Sequence, residues 1–455
     1  MRAINVGLLG FGTVGAGIYT VLLRNREEIL RRAGHDIQIK AIGARRVECV
    51  QKQVQTIHQT FLCAKSKVLI TDCFDQIIND DEIDIVIEAI GGVNDAKSWV
   101  MAAIANGKHV ITANKALLAL HGNQIFAAAH QAGVVVAYEA AVAGGIPIIK
   151  ALREGLAANR IESIVGIING TTNYILSAMS ASKINFNEAL EQAQKLGFAE
   201  ADPSFDIDGI DAAHKISLMS AIAYGIPVPF EHTYIEGIRH LETIDIDYAN
   251  QLGFRIKLLG ITHRSSYGIE LRVHPALIST KHSMAMVDGA MNAISVHANA
   301  VGTTLYCGKG AGGEPTASAV LADLIDLARL YTASPEHRVP SLAFQADQVN
   351  ELPLLDINQI RCAYYFRLRV ADKLGILARI TQILAKANIS IDMLLQKASG
   401  EADNKLIHIY QHTMDLVFIT HPTQESQANQ ALAEIKALES VIGSIVRLRI
   451  QAFDD

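Results

Sequence analysis

The chain has 455 residues, half of them apolar, with 40 Lys and Arg set against 46 Asp and Glu. A net charge of −6 gives no electrostatic reason to expect nucleic acid or an anionic membrane as a partner. No apolar run approaches the roughly 18–20 residues of a membrane span, and the glycine-bearing N-terminus makes a better strand and turn than a secretory signal.

At about 100–200 residues per domain, the length predicts roughly two to four domains. Residues 1 to about 140 alternate in a βαβ rhythm: INVGLLG is an apolar strand, VGAGIYTVLLRNREEIL is helical and IQIKAIG is a second strand. A third strand lies within residues 81–92, GKHVIT is a fourth and GVVVAYEA a fifth. Continuous apolar strands alternating with helices predict a parallel sheet buried on both faces. IESIVGIIN then reads as strand, a long helical segment runs from about Asn173 to Leu196, and an acidic stretch leads into the helix DAAHKISLMSAIAYG. Beyond Pro227 the pattern is mostly strands (FRIKLLGITH, IELRVHP, NAISVHANA, TTLYCG), which predicts an α+β domain with a mixed sheet. The helix TASAVLADLIDLARL is expected to pack back on the first domain. Residues 334–358 hold three of the ten prolines and read as a linker. YYFRLRV, GILARITQILAKAN, ISIDMLLQ, MDLVFITH, ESQANQALAEIKAL and IGSIVRLRI then follow the β-α-β-β-α-β order of a ferredoxin-like domain.

The expected architecture is thus α/β in its first part. A Rossmann-type dinucleotide-binding domain spans 1–140, with a returning helix around 315–335. An α+β substrate and dimerisation domain spans 141–312, a linker 336–358 and the ferredoxin-like domain 359–455.

The five cysteines, Cys49, Cys63, Cys73, Cys307 and Cys362, form no C-x-x-C pair and are odd in number. That argues against a disulfide framework or a zinc ribbon, and the cytoplasm is the expected compartment. His408 and His412 have a ligand-like spacing but lie in a stretch that reads as strand, which argues against a metal site there.

G-F-G-T-V-G, Gly10 to Gly15, follows an apolar strand and opens a helix. Gly10 allows the tight turn, Gly12 lets a pyrophosphate approach the backbone, and Gly15 lets helix and strand pack closely. The phosphates then face the helix N-terminus. The second strand ends in Gly43-Ala44-Arg45-Arg46, and arginines there suit a 2′-phosphate, which favours NADP over NAD; two solvated arginines are the alternative. T-A-N-K, Thr112 to Lys115, follows the fourth strand at its carboxyl end, where open α/β sheets place ligands. Lys115 there is either a holder of a substrate carboxylate or hydroxyl, or simply solvated.

GFAEADPSFDIDGIDAAHK crowds Glu200, Asp202, Asp206, Asp208 and Asp211 ahead of Lys215. Asp208, Asp211 and Lys215 are spaced to share one face of a helix, and Asp208 suits its N-cap. A capped helix with one Asp–Lys pair accounts for Asp208 and Asp211, but not for Glu200, Asp202 and Asp206. A carboxylate-lined pocket would capture an ammonium group and keep Lys215 protonated as a proton donor.

Together these stretches resemble homoserine dehydrogenase. The similar residues are G-F-G-T-V-G; H-V-I-T-A-N-K-A-L-L-A; Y-E-A-A-V-A-G-G-I-P-I-I; G-I-I-N-G-T-T-N-Y-I-L; G-F-A-E-A-D-P…D-I-D-G-I-D-A-A-H-K; and G-A-G-G-E-P-T-A-S-A-V, in family order from residue 7 to about 330. The last ninety or so residues look like an ACT domain, with D-K-L-G-I-L, residues 372–377, at its strand-to-helix turn. No aspartate kinase precedes residue 1, so the expected form is monofunctional.

The resemblance implies reversible NAD(P)H-dependent reduction of L-aspartate 4-semialdehyde to L-homoserine, in threonine and methionine biosynthesis. It implies that Lys215 is the general acid, that Lys115 holds the substrate, assists proton movement and borders the cofactor, and that Glu200 and Asp211 bind the amino group with Asp206 in support. It implies a monovalent cation, sodium, on Glu139 and the carbonyls of Val142, Gly144 and Ile146. Phe11, Thr13, Val14 and Gly302 would touch the cofactor by the same likeness. An amino-acid effector at the ACT domain, threonine, and a homo-oligomer, dimer or tetramer, are further implied. The physical reading agrees in kind: the substrate carries an ammonium and a carboxylate, and an aldehyde needs a proton as well as a hydride. The alternatives are another amino-acid dehydrogenase of similar fold and a non-catalytic sensor of dinucleotide and amino acid. A sensor of that kind should have lost Lys115 or Lys215, and both are present.

Overall fold

The computed structural model describes residues 3–61, 68–334, 337–398 and 413–453. Cys63, His408 and His412 lie outside them.

β1 (Ile4–Leu9), β2 (Ile37–Gly43), β3 (Leu69–Thr71), β4 (Ile85–Glu88), β5 (His109–Thr112) and β6 (Val136–Ala137) form a six-stranded sheet in the order β3-β2-β1-β4-β5-β6. All its pairings are parallel. β4 and β5 are buried at every residue, as expected of strands covered on both faces. The sequence predicts five strands here; β3 is the sixth. It is three residues long and its Leu69 is exposed at the sheet edge, so the run Val68-Leu69-Ile70 is too short to announce a strand by itself.

Around this sheet run α1 (Thr13–Arg24), α2 (Arg26–Ala33), α3 (Val47–Thr60), α4 (Asp75–Ile78), α5 (Asn94–Ala105) and α6 (Lys115–Gln131). The helix predicted after β1 is two, parted at Asn25. A short helical segment, α7 (Ile148–Lys150), then opens the second unit, and β7 (Ile161–Ile167) follows.

The single helix predicted from Asn173 to Leu196 is also two, α8 (Gly170–Ser182) and α9 (Phe186–Lys195). Lys183 takes the left-handed conformation at the break, and Asn185 with Glu188 closes a capping box that starts the second helix. α10 (Ser204–Ile207) and α11 (Ile210–Tyr224) follow the acidic stretch. α11 is buried from Asp211 to Tyr224, so it is a helix of the interior rather than an amphipathic surface one.

The remaining strands are β8 (Tyr234–Ile235), β9 (Phe254–Arg264), β10 (Ile269–Ser279), β11 (Met291–Ala298) and β12 (Gly302–Lys309). α12 (Thr243–Gln251) interrupts a region predicted to be mostly strand. α13 (Gly313–Arg329) packs its Ala317, Val320, Leu321 and Leu324 into the core cluster that contains Ile4, Val6 and Leu8 of β1.

The last unit is β13 (Arg361–Ala371), α14 (Ile376–Lys386), β14 (Ile391–Ala398), β15 (Thr413–Thr420), β16 (Thr423–Gln424), α15 (Glu425–Lys436) and β17 (Val441–Gln451). This is the predicted β-α-β-β-α-β order, with one extra short strand. The structure adds what the sequence does not express: β17 pairs in parallel with β10 through Ala276–Arg449, Leu277–Ile450 and Ile278–Gln451. One sheet therefore runs through both units in the order β12-β11-β7-β9-β10-β17-β13-β15-β14, with β8 on β10 and β16 on β13.

Buried ion pairs fasten this junction. Arg367 binds both oxygens of Asp245, at 2.6 and 2.9 Å. Arg449 binds both oxygens of Glu425 and also Glu236 at 2.9 Å. The segment read as a linker is docked as well. The Tyr138 hydroxyl donates to the Ser341 carbonyl, the Asn350 amide donates to Gly225, and Leu354 bridges to Ile269.

Candidate active site

Lys215 stands on the first turns of α11 and is buried. Its Nζ donates to Asp211 Oδ2 at 2.6 Å, one helical turn earlier, and to the Ile168 carbonyl at 2.8 Å, just past the end of β7. From the other side Lys115 Nζ reaches Asp211 Oδ1 at 3.0 Å. Lys115 opens α6 at the carboxyl end of β5, and Asn114 caps that helix by accepting from the Leu117 amide. One buried carboxylate thus holds two ammonium groups from two domains.

Burial favours the neutral form of Asp211, but Lys215, Lys115 and their hydrogen bonds overcome it and hold the carboxyl well below its ordinary range. For Lys115 the Asp211 charge outweighs burial and raises the pKa. For Lys215 burial outweighs the same charge and lowers it. Here the structure departs from the sequence reading, in which the carboxylates alone decided. A lowered lysine pKa gives a readier proton donor than a solvated lysine.

Asn169 caps α8 and places its amide between the acids, donating to Asp206 Oδ1 at 2.7 Å and Asp211 Oδ2 at 2.8 Å. Thr171 donates to Asp206 Oδ2 at 3.1 Å. Burial, and then the charge of Asp211, raise the pKa of Asp206. Glu200 is exposed at the entrance, and its carboxylate has no partner among the described residues. The Phe205 ring lies 5.7 Å from Lys115 Nζ.

The five acids therefore separate: Glu200, Asp206 and Asp211 face the two lysines, and the others do not. Asp202 accepts from the Ser204 amide in a turn. Asp208 is not the N-cap of α11; Gly209 holds that position with φ +87, and Asp208 pairs with Arg239. Asn169 and Thr171 join the acids here only through the fold, although an N-G-T-T run after an apolar strand is itself a capping signal.

The glycine loop lies at the end of β1. Gly10 has φ +100, and a Cβ there would stand 2.6 Å from the Ala89 carbonyl oxygen. A Cβ on Gly15 would run into the Gly10 carbonyl. At Gly12 nothing lies within 4 Å of where a Cβ would stand. The first two glycines are required by the protein's own backbone; the third borders open space at the N-terminus of α1, where a phosphate fits. Phe11 is buried, Thr13 exposed and Val14 half-buried. Arg45 and Arg46 are exposed just past β2, with Arg45 3.9 Å from Asp95.

Gly302 is not at this loop. It opens β12, while the loop's neighbours lie past the other end of that strand, about 25 Å away at roughly 3.3 Å per residue. Gly313 is the residue in contact, its Cβ position 3.0 Å from the Thr13 carbonyl oxygen. Pairing of β12 with β11 sets this direction, and a single sequence does not show it.

Glu139 is buried at the entry to the second unit. Its carboxylate accepts from the amides of Ile149 and Lys150 at 2.9 and 2.8 Å. Burial, and then the charge of Asp323, push its pKa up to about 7. The chain turns through Ala143 and Gly144, both at positive φ. The Val142 and Gly144 carbonyls accept no hydrogen bond among the described residues, whereas that of Ile146 accepts from Ile148. A carboxylate with free carbonyls beside it is an oxygen donor set that fits a small cation.

Three family models match the chain. "Homoserine dehydrogenase, NAD binding domain" covers residues 10–139, "Homoserine dehydrogenase" covers 147–325 and "ACT domain" covers 364–440. A homoserine dehydrogenase of Pseudomonas aeruginosa is 49% identical over 99% of each chain. The crystal structure of one from Thiobacillus denitrificans is 53% identical, covering 99% of this chain and 98% of its own, with a TM-score of 0.91. A hyperthermophilic archaeal homoserine dehydrogenase in complex with NADPH is 26% identical, covers 73% of this chain and 99% of its own, and has a TM-score of 0.61.

Proposed function

The chain belongs to the homoserine dehydrogenase family, and from that premise we propose that it interconverts L-aspartate 4-semialdehyde and L-homoserine with Lys215 as the proton donor. The observation that carries this reading is the single buried carboxylate, Asp211, held between Lys215 and Lys115. When bound, the nicotinamide cofactor supplies or accepts the hydride. The protein's part is to bind, orient and protonate. Glu200 and Asp211 take the substrate ammonium, with Asp206 in support, which matches their charge. Lys115, the more exposed lysine, holds the polar end of the substrate. Lys215 donates its proton to the carbonyl oxygen in reduction and recovers it in oxidation. Asn169 keeps Asp206 and Asp211 aligned and shares their charge through its amide.

NADP is the preferred form in this reading, with Arg45 and Arg46 on the 2′-phosphate; the NADPH-bound archaeal relative supports it. Glu139 and the carbonyls of Val142, Gly144 and Ile146 would hold a monovalent cation, sodium. Its charge would offset the buried carboxylates Glu139 and Asp323 and steady the turn between the first two units. The ACT unit would bind an amino-acid effector, L-threonine by the logic of end-product control. The assembled enzyme would be a homo-oligomer, dimer or tetramer, of the cytoplasm. Among the described residues β14 ends the sheet on the ACT side and offers an edge for such pairing, whereas β17 is already used within the chain. No helix among the described residues is long and apolar enough to cross a membrane.

The test is steady-state turnover of purified protein on L-homoserine and on aspartate semialdehyde, with NADP(H) and NAD(H) compared. Turnover with either cofactor supports the reading. No turnover with both would end it.

A further inference from the structure

Phe205 stands on α10, whose single turn sends its side chains three ways. Ile207 is buried, Asp206 turns to Asn169 and Thr171, and Phe205 leans toward α11 and is 38% exposed. Its ring meets His214 at 5.3 Å between centroids, and His214 meets Phe230 at 4.4 Å, both edge to face. That is an arrangement aromatic rings prefer. His214 precedes Lys215 on α11, and a helix turns successive side chains about 100° apart. One therefore faces the rings while the other reaches back to Asp211. His214 is buried, and its Nδ1 has no hydrogen-bond partner among the described residues. Burial pushes its pKa down to about 4; the charge of Asp211 opposes this, and those of Lys115 and Lys215 add to it. The imidazole is therefore neutral near pH 7 and serves as a ring rather than as a third cation beside the two lysines.

Beyond this stack lies Lys115. Its Nζ is 5.7 Å from the centre of the Phe205 ring, within the range of a cation–π contact. Asp211 holds the same ammonium from another side at 3.0 Å. The Lys115 side chain is 32% exposed and hangs on a flexible four-carbon stem. One carboxylate fixes how far the ammonium stands from α11, but not the direction in which it points. The ring supplies a second point of contact, and His214 with Phe230 keeps the ring from turning away. The charged groups acting on this ammonium are Asp211, Asp206 and Glu200 as acids and Lys215 as the other cation.

We propose that Phe205 is a positioning residue for Lys115: its ring, braced by His214 and Phe230, aims the ammonium at the polar end of the substrate. The contact rests on geometry alone; its consequence for substrate rests on the role given to Lys115 above. A cation–π contact at an exposed site changes an equilibrium by about two- to fivefold. It therefore sets how well the substrate is gripped. Lys215 takes its own place from Asp211 and the Ile168 carbonyl, so the proton donor stays where it is when the ring is altered.

The experiment replaces Phe205 in the full chain by mono-, di- and trifluorophenylalanine, which nearly keep the ring's size and progressively withdraw negative charge from its face. Two quantities are read. The first is the rate at which a trace of acetic anhydride acylates Lys115 at about pH 8, below the ordinary lysine value, followed by mass spectrometry of the Lys115 peptide. It reports the share of neutral amine and needs no turnover. A ring that stabilises the ammonium raises the Lys115 pKa, so weakening the ring should speed acylation stepwise, by about two- to fivefold at the trifluoro ring. The second is the KM for homoserine, which should rise stepwise by a similar factor, with kcat and the cofactor KM near native. Phe205→Tyr, which keeps an electron-rich ring, should stay near native in both, and Phe205→Leu should raise the KM at least as far as the trifluoro ring. Acylation that is level across the fluorinated series overturns the contact. Stepwise acylation with a level KM overturns the positioning role. A KM that rises only in Phe205→Leu reduces the ring to packing and overturns the proposal. A native chain that turns over no homoserine sinks the enzymatic reading, and the acylation series still decides the contact.

Discussion

Lys215→Met is the most informative single substitution, because it removes the ammonium while nearly conserving side-chain length and packing. Two hydrogen bonds go, to Asp211 at 2.6 Å and to the Ile168 carbonyl at 2.8 Å. Stranding a buried charge outright costs about 3–5 kcal/mol. Asp211 is not stranded, since Lys115 remains at 3.0 Å and Asn169 at 2.8 Å. The stability cost should therefore be about 1–3 kcal/mol, the range of unmet buried hydrogen bonds. The chemical cost should be larger. General acid catalysis contributes about 10²–10⁴ in rate, or about 3–5 kcal/mol on the barrier. The assay is kcat for homoserine oxidation and semialdehyde reduction, with cofactor affinity measured separately by nicotinamide fluorescence. Turnover should collapse in both directions while cofactor affinity stays near native. The alkaline limb of the native reduction profile should lie below the ordinary lysine value of about 10.4, because burial lowers the Lys215 pKa, and the substitution should abolish it. A variant with kcat within about threefold of native would refute Lys215 as the acid.

Gly12→Ala should fold normally and raise the cofactor KM by about tenfold or more, because its Cβ would enter open space that only a phosphate needs; Gly15→Ala should instead unfold or destabilise the protein by meeting the Gly10 carbonyl. Equal thermal stability of the two would contradict this. Glu139 should make stability pH-dependent. Its carboxyl is raised from 4.5 to about 7, so the folded state binds the proton more tightly, and this contribution is full below about pH 4.5 and lost as pH rises through 7. The loss amounts to about 3 kcal/mol, and sodium, which binds the carboxylate form, should raise Tm more at pH 8 than at pH 5 relative to tetramethylammonium. An equal response at both pH values would remove the cation from this site. Arg45→Ala with Arg46→Ala should raise the KM for NADPH about tenfold or more, the worth of a charged hydrogen bond, and leave NADH alone; equal changes would make the arginines solvated surface. Truncation at Pro353 should yield an unstable or self-associating protein, since it bares the edge of β10 and leaves Asp245 without Arg367. A well-behaved monomeric truncation would show that the ACT unit is a loose appendage after all.

The amino-acid sequence by itself determined the parts of this protein that depend on neighbours along the chain. The parallel sheet was legible because strands buried on both faces carry apolar runs, as Ile85–Ile87 and Val110–Ile111 do. The glycine loop was legible because the left-handed turn at Gly10 and the close approach at Gly15 are backbone demands that act over six residues. Asp211 and Lys215 were legible as a pair because one helical turn joins them. The tertiary structure alone decided matters between distant segments. It brought Lys115 to the other side of Asp211, ninety-six positions away in the chain, and set Asn169 between Asp206 and Asp211. It turned Asp208 outward to Arg239 and set Gly302 at the end of β12 away from the glycine loop. It also joined β17 to β10, where the sequence reads only a linker and a separate domain. The physical reason is common to all of these. A strand's apolar pattern states which face is buried but not which edge will find it, and a carboxylate in a loop states its charge but not which distant ammonium will share it.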